Sequence, residues 1–387
     1  MRIALFAWET LHSIPVGGIS VHVTELAAGL QRRGHDVHVF TRRGHEQPDY
    51  ECVDGVHYHL CSFELNSDLV DEINSMCRSF VERFFAVEDN AGRFDIVHAH
   101  DWLASNAAIW IKEGRGHKAI VTIHSTEYGR NGNEFYGGQA PRVHDHERHA
   151  TYCADRVITV SHRLKEEVNW LYEVPHDKIQ MIYNGVNSKV FDYEIDEGEV
   201  KRRYDVAPMD PMVLFVGRMV VQKGPDLLVH AIPGLLRHYP EAKFVFAGDG
   251  HMKDDVCRIG RNLGVAHAMR VLGTRTGREL HDLFKACNVL AVPSRNEPFG
   301  IIILEGWSAG KPVVCTKQGG PAEFVWHEVN GLQTEDTPDS IGWGLGTMLS
   351  NHNRCRWMGR NGRAAVDAVF SWDNIAEQTE IVYFNVV

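Results

Sequence analysis

Pro293-Ser294-Arg295-Asn296-Glu297-Pro298-Phe299-Gly300-Ile301-Ile302-Ile303-Leu304-Glu305-Gly306 is the stretch whose reading decides the fold. It follows Val289-Leu290-Ala291-Val292, a short β-branched, apolar run that reads as a buried parallel strand. Pro293, Asn296 and Pro298 break that run, and from Phe299 the apolar residues take helical spacing up to Ala309-Gly310. Strand, short loop and helix in that order are the grammar of a parallel α/β sheet. At the helix start, Gly300, Ile301 and Ile302 offer backbone N–H groups with no intrahelical partner, and the glycine lets a phosphate come close. Glu297 in the loop and Glu305 about two turns into the helix can reach groups on either side of a bound diphosphate. Two glutamates near a helix start also serve simply to complement its dipole.

The same grammar recurs on both sides of this stretch. Met212-Val213-Leu214-Phe215-Val216 is a strand, and Arg218 and Lys223 stand in the loop before a helix that opens with Pro225. Two basic groups at a strand end suit a diphosphate, arginine as a fork and lysine as a point charge. Phe244 to Gly250 and Val271-Leu272-Gly273 repeat the strand-then-turn pattern, and Gly319-Gly320-Pro321 opens another helix.

In the N-terminal half, Ile3 to Phe6 is a strand, Pro15 to Ser20 is a turn containing Gly17 and Gly18, and Val21 to Arg33 has helical spacing. With the strand Val37 to Phe40 this makes a β-loop-α-β unit. The turn lacks the three-glycine dinucleotide fingerprint, which disfavours a hydride-transfer enzyme. Residues 64–94 read as an amphipathic helix with acidic faces. Asp95 to Trp102 is a strand ending in His100, Asp101 and Trp102, and Ala119 to Ser125 is another ending in His124. Ligands of open parallel sheets bind at the carboxyl ends of strands, so these four are candidate site residues. Tyr128 to Gly138 is a polar, glycine-rich loop of the kind that closes over ligands. His144, His146, His149 and Glu147 match no strong metal-ligand pattern, and with Arg142 and Arg148 among them they read as a solvated helix face.

The chain has 387 residues, enough for two domains with separate cores. The acidic, broken stretch Ser188 to Pro211 places the boundary, giving an N-terminal domain over 1–190 and a second over 191–368, with a helical tail over 369–387. A formal net charge of -11 argues against a nucleic-acid partner. No run of 18 apolar residues is present, so no membrane span is expected, while peripheral membrane contact and a homo-oligomer stay open. Eight cysteines without Cys-x-x-Cys spacing point to free thiols in a reducing cytoplasm.

Glu297-Pro298-Phe299-Gly300, four residues, then Glu305, closed by Gly310-Lys311-Pro312-Val313-Val314, resembles the paired-glutamate motif of retaining glycosyltransferases of the family-4 type. Gly217-Arg218 and Lys223-Gly224 resemble the family's Gly-Arg-x₄-Lys-Gly pattern, and His98-Ala99-His100-Asp101-Trp102 is similar to an acceptor-side motif of glucan synthases. The resemblance covers nearly the whole chain and implies the GT-B fold, two doubly wound Rossmann-like α/β domains facing across a cleft. It implies a nucleotide diphosphate sugar as donor, bound by Gly17, Gly18, Arg218, Lys223, Leu272, Phe299, Gly300, Ile301, Ile302 and Glu305. His124, Glu297, Arg218 and Lys223 would be the catalytic set, and His100, Asp101 and Trp102 would bind a carbohydrate acceptor. Glycogen and starch synthases usually carry a lysine where Val16 stands, a departure from that subgroup. No cofactor and no metal is expected, since no Asp-x-Asp pair forms a metal-nucleotide motif. The implied activity is transfer of a hexosyl unit, glucosyl first, to an acceptor such as an α-glucan. A mannosyl- or other hexosyltransferase acting on a lipid-linked or small acceptor is the alternative. A catalytically silent sugar-nucleotide binder is the reading from a different class, and a phosphorylase or epimerase a nearer rival.

Overall fold

In the computed structural model, which describes residues 1–135 and 137–387, the chain divides into two compact α/β units. The first comprises Met1–Tyr128, Glu134–Gly185 and Trp372–Val387, and the second Gly129–Asn133 and Val186–Ser371. Tyr136, within the glycine-rich loop, lies outside the described residues.

The first unit is built on β1 (Arg2–Phe6), β2 (Asp36–Arg42), β3 (Tyr50–Val53), β4 (Val56–Cys61), β5 (Ile96–His100), β6 (Lys118–Ile123), β7 (Arg156–Thr159) and β8 (Ile179–Met181). Their order in the sheet is β3-β4-β2-β1-β5-β6-β7-β8. The β3–β4 pair is antiparallel, and the other pairs are parallel. Both faces of the central strands are covered, so Ile3, Ala4, Leu5 and Phe6 are all fully buried, and Phe6 stacks on Phe40 at 5.0 Å between ring centroids. Four helices of this unit matter below: α1 (Gly18–Arg32), α2 (Leu69–Ala91), α3 (Trp102–Arg115) and α4 (Ala140–Cys153). The Asp68 side chain caps α2 by accepting from the Asp71 amide at 3.1 Å.

The last helix of the chain, Trp372–Phe384, belongs to this unit and packs on α1. Its approach is close because residue 29 is glycine: a Cβ there would stand 2.8 Å from the Cβ of Ala376. Arg32 pairs with Asp373 at 2.6 Å, and Trp372, Ile375 and Tyr383 join Leu5 and Val23 in one buried core.

The second unit carries β9 (Met212–Val216), β10 (Lys243–Ala247), β11 (Met269–Gly273), β12 (Val289–Val292), β13 (Val313–Thr316) and β14 (Gly331–Thr334). All pairs are parallel, in the order β11-β10-β9-β12-β13-β14. That is the strand order of a doubly wound nucleotide-binding sheet, with ligands received where the order reverses. The reversal lies between β9 and β12 here, and between β1 and β5 in the first unit. Two helices start at the second switch point, α5 (Pro225–Leu236) after β9 and α6 (Ile301–Ser308) after β12. Helix α6 begins at Ile301 rather than Phe299, because Gly300 takes φ +95° at its N-cap, and it ends as the spacing implies, with Gly310 at φ +73° just beyond it.

Candidate functional site

At the switch point of the second unit, the loops leaving β9 and β12 bring Lys223 and Glu297 together. Lys223 Nζ lies 2.7 Å from Glu297 Oε2 and 2.9 Å from Oε1, and Ser294 Oγ donates to Oε2 at 3.0 Å. Glu297 is 4% exposed and its backbone is held on both sides. Its amide donates to Gln318 O at 3.1 Å, and its carbonyl accepts from the Gly320 amide at 2.8 Å. This clamp requires glycine at 319, where φ is +95° and a Cβ would stand 2.1 Å from the Glu297 carbonyl oxygen. Arg295 ties the same loop to the start of α5 through a fork on Asp226, at 2.9 and 2.6 Å. Asn296 donates to Asn133 Oδ1 at 2.6 Å, so the segment Gly129–Asn133 is seated against this loop.

Arg218 is exposed and its guanidinium makes no hydrogen bond or ion pair with the described residues. Gly300 stands at the N-cap of α6 with φ +95°, ahead of the first-turn amides of Ile301 and Ile302. Phe299 is 2% exposed and packs its ring on Phe324 at 5.0 Å, so its side chain belongs to the core. Glu305 is half-buried, and desolvation pushes its carboxyl up to about 7. Its side chain has no partner among the described residues, so a hydrogen-bonding ligand would favour the ionised form. Leu272 is half-buried on β11, the edge strand of the sheet.

In the first unit, β1, β5 and β6 end side by side. Gly17 caps α1, but its amide is taken: the Glu9 carboxylate accepts from the Val16 and Gly17 amides, each at 2.6 Å. An anion already occupies this helix start, and it belongs to the protein. After β5, Asp101 has φ +58°, an uncommon conformation for a residue with a side chain, and is 3% exposed. Its Oδ1 accepts from the His124 amide at 2.7 Å, so it fixes the end of β6. Trp102 is 5% exposed, and its ring is packed at the start of α3 rather than offered as a sugar-stacking face.

His124 is half-buried and stands in a cluster of imidazoles. His100 Nδ1 lies 3.2 Å from His124 Nε2, and the ring of His22, on α1, sits 4.5 Å from that of His124. Behind them His98 is hydrogen-bonded to Tyr383 Oη and Thr122 Oγ1, both at 2.7 Å. Burial lowers all four rings: His22 to about 4, His98 to about 3, and His100 and His124 well below the usual value. The rings are therefore neutral at pH 7, and can exchange hydrogen bonds but do not bring positive charge. Two groups among the described residues place possible metal ligands within 4.8 Å of one another: His22, His100 and His124, and, on β2 and β4, Asp36, His38 and His57.

Several of these residues escape a reading of the sequence. Glu9 acts across a loop on the amides of Val16 and Gly17, and His22 and Asn184 act on each other from far apart in the chain, with His22 Nδ1 2.7 Å from Asn184 Oδ1. Glu147 corrects the expectation of a solvated face on α4: it is fully buried and accepts from the Glu127 amide at 3.0 Å and from Tyr172 Oη. His149 and Arg148 beside it are exposed.

Two doubly wound units with polar residues gathered at their switch points define the GT-B class of glycosyl-transferring proteins. Residues 16–190 match the family described as Glycosyltransferase Family 4, and residues 196–365 that described as Glycosyl transferases group 1. The chain is 37% identical over 387 residues to an uncharacterized glycosyltransferase of Methanocaldococcus jannaschii, with 99% of this chain and 98% of that protein covered. It is 28% identical over 400 residues to a glycogen synthase of Mycobacterium tuberculosis, covering 99% and 94%. Among solved structures, a sucrose-phosphate synthase from Thermosynechococcus elongatus superposes with a TM-score of 0.84 at 23% identity, covering 100% of this chain and 99% of that one. The chain belongs to the glycosyltransferases, with the GT-B fold and the family-4 type of sequence.

Proposed function

We propose that the protein moves a hexosyl unit, glucosyl first, from a nucleotide diphosphate sugar to a carbohydrate acceptor with retained anomeric configuration. The observation that carries this reading is the second switch point, where Lys223 holds Glu297 and the same strand exits carry Arg218 and the start of α6, with Glu305 about two turns further on. Cleavage of the bond between the anomeric carbon and phosphate leaves negative charge on the diphosphate. Arg218, Lys223 and the amides of Gly300, Ile301 and Ile302 would stabilise it, and loss of one such donor typically costs about 3–4 kcal/mol. Glu297 would hold the sugar hydroxyls, Glu305 the ribose, Leu272 the base through its backbone, and His124 the donor sugar. The acceptor hydroxyl would attack from the face the phosphate leaves, giving its proton to that phosphate, with no divalent metal needed for charge neutralisation. A glucan acceptor is supported by the pattern from His98 to Trp102.

A small or lipid-linked acceptor is the second reading, favoured by the buried Trp102 ring and by Val16 in place of the glucan-synthase lysine. The test is incubation with labelled UDP-glucose, ADP-glucose and GDP-mannose against glucans, monosaccharides, sugar phosphates and lipid acceptors. Glucosyl transfer to malto-oligosaccharides is the expected result. Transfer only from the mannose donor, or only to a non-glucan acceptor, overturns the first reading. No transfer and no donor hydrolysis with any of them points to a silent binder.

A further inference from the structure

We propose that His22, His100 and His124 form a binding site for a divalent transition-metal ion, with Zn²⁺ as the reference case. One ring nitrogen from each lies within 4.8 Å of the others. Two nitrogens on a tetrahedral zinc, with bonds of about 2.0–2.1 Å, stand about 3.3 Å apart. His100 Nδ1 and His124 Nε2 are 3.2 Å apart, so a metal can enter with little movement of either ring.

The tautomer of His22 is decided by its neighbour. Asn184 Oδ1, 2.7 Å from Nδ1, is an acceptor, so the proton sits on Nδ1 and the lone pair on Nε2. That Nε2 is buried with no partner among the described residues, on a residue only 5% exposed. An imidazole that donates one N–H to a carbonyl oxygen and leaves its other nitrogen unpartnered beside two more imidazoles has the arrangement of a metal ligand with its supporting hydrogen bond. On His100, which is 1% exposed, the ligand atom is Nδ1, and the proton then sits on Nε2. An unsatisfied buried polar atom is costly, and the lone pair on His22 Nε2 calls for a ligand. The half-buried His124 gives access from solvent.

The other cluster is poorer: Asp36 holds the Arg2 guanidinium at 2.7 Å, which brings positive charge to the point a cation would take. A metal on the three histidines would withdraw the His124 ring from the donor sugar and slow transfer. That consequence rests on the role proposed for His124, whereas the binding does not.

The experiment is titration of the full chain with Co²⁺, read by its visible ligand-field absorption, and with Zn²⁺ by calorimetry. One ion per chain is expected, lost in His22→Ala, about 10–100-fold weaker in Asn184→Ala, and unchanged in Asp36→Asn. Thermal melts establish that each variant is folded, and Asn184→Ala keeps the test decisive if His22→Ala is not. No binding by the wild-type chain overturns the site. So does binding that survives both His22→Ala and Asn184→Ala, or binding lost only in Asp36→Asn.

Discussion

Lys223 and Glu297 neutralise each other, the ammonium lying within 2.9 Å of both carboxylate oxygens. In the proposed reaction each has a different partner, the lysine a diphosphate and the glutamate the hydroxyls of a sugar. The ion pair then holds the site in order until the donor exchanges it for two sets of ligand contacts. Glu297→Gln should leave binding of free nucleotide diphosphate nearly intact while turnover falls about 10²–10³-fold. Arg218→Ala, which removes an exposed and unpaired guanidinium, should weaken both. Calorimetry beside steady-state rates separates the two, and unchanged turnover in either variant refutes the assignment. Lys223→Ala alone should also lower stability more than Lys223→Ala with Glu297→Gln, because it strands a buried carboxylate.

Asp101 joins a strained backbone to the placement of His124. Asp101→Gly should relieve the strain yet lose the hydrogen bond, so the melting temperature holds while kcat falls. Asp101→Ala loses the bond and keeps the strain, which costs about 1–3 kcal/mol. Melting curves and rates measured on both variants test this, and equal melting temperatures for the two would show that the backbone carries no strain.

Glu305 predicts a pH dependence. Its folded value is raised from 4.5 to about 7, so its stabilising contribution is complete below about pH 4.5 and is lost as pH rises through 7. Glu305→Gln removes that loss, and at pH 8 it should be more stable than wild type by about 1–2 kcal/mol, allowing for solvent screening. Denaturant titrations at pH 5 and pH 8 provide the measurement. A wild-type chain as stable at pH 8 as its Glu305→Gln variant would contradict the desolvated carboxyl.

Glycosyl transfer should continue in excess chelator, because in the proposed reaction Arg218, Lys223 and the start of α6 would supply the charge that a metal brings in other transferases. Activity lost to chelator and restored by Mg²⁺ or Mn²⁺ would refute this. Zn²⁺ bound at His124 is a separate matter, since it would lower the rate and chelator would raise it.

The alternation of strands and helices was legible because buried parallel strands are short β-branched runs and their exits are marked by Gly, Pro and polar residues. Glu297, Arg218 and His124 were visible for the same reason, each lying just beyond such a run. Glu9, His22 and Asn184 were not, because a carboxylate folding back across an irregular loop, or an amide oxygen on a ring far along the chain, leaves no local pattern. The hairpin β3–β4 is different: Asp54-Gly55, with φ of +49° and +82°, is a readable turn signal between two runs too short and polar to read as strands. Trp102 shows the limit of motif reasoning, since the pattern names the residue but not whether its ring is covered.

The last helix has a consequence for how the chain is made. Trp372, Ile375 and Tyr383 lie in the same core as residues from β1 and α1, so that core cannot close until residues 372–383 have been made. The second unit, by contrast, draws almost entirely on one continuous stretch, Val186–Ser371. Synthesis from the N-terminus usually lets the first domain fold first. In this layout the second unit can complete itself from one stretch, while the core of the first needs the helix Trp372–Phe384 made after it.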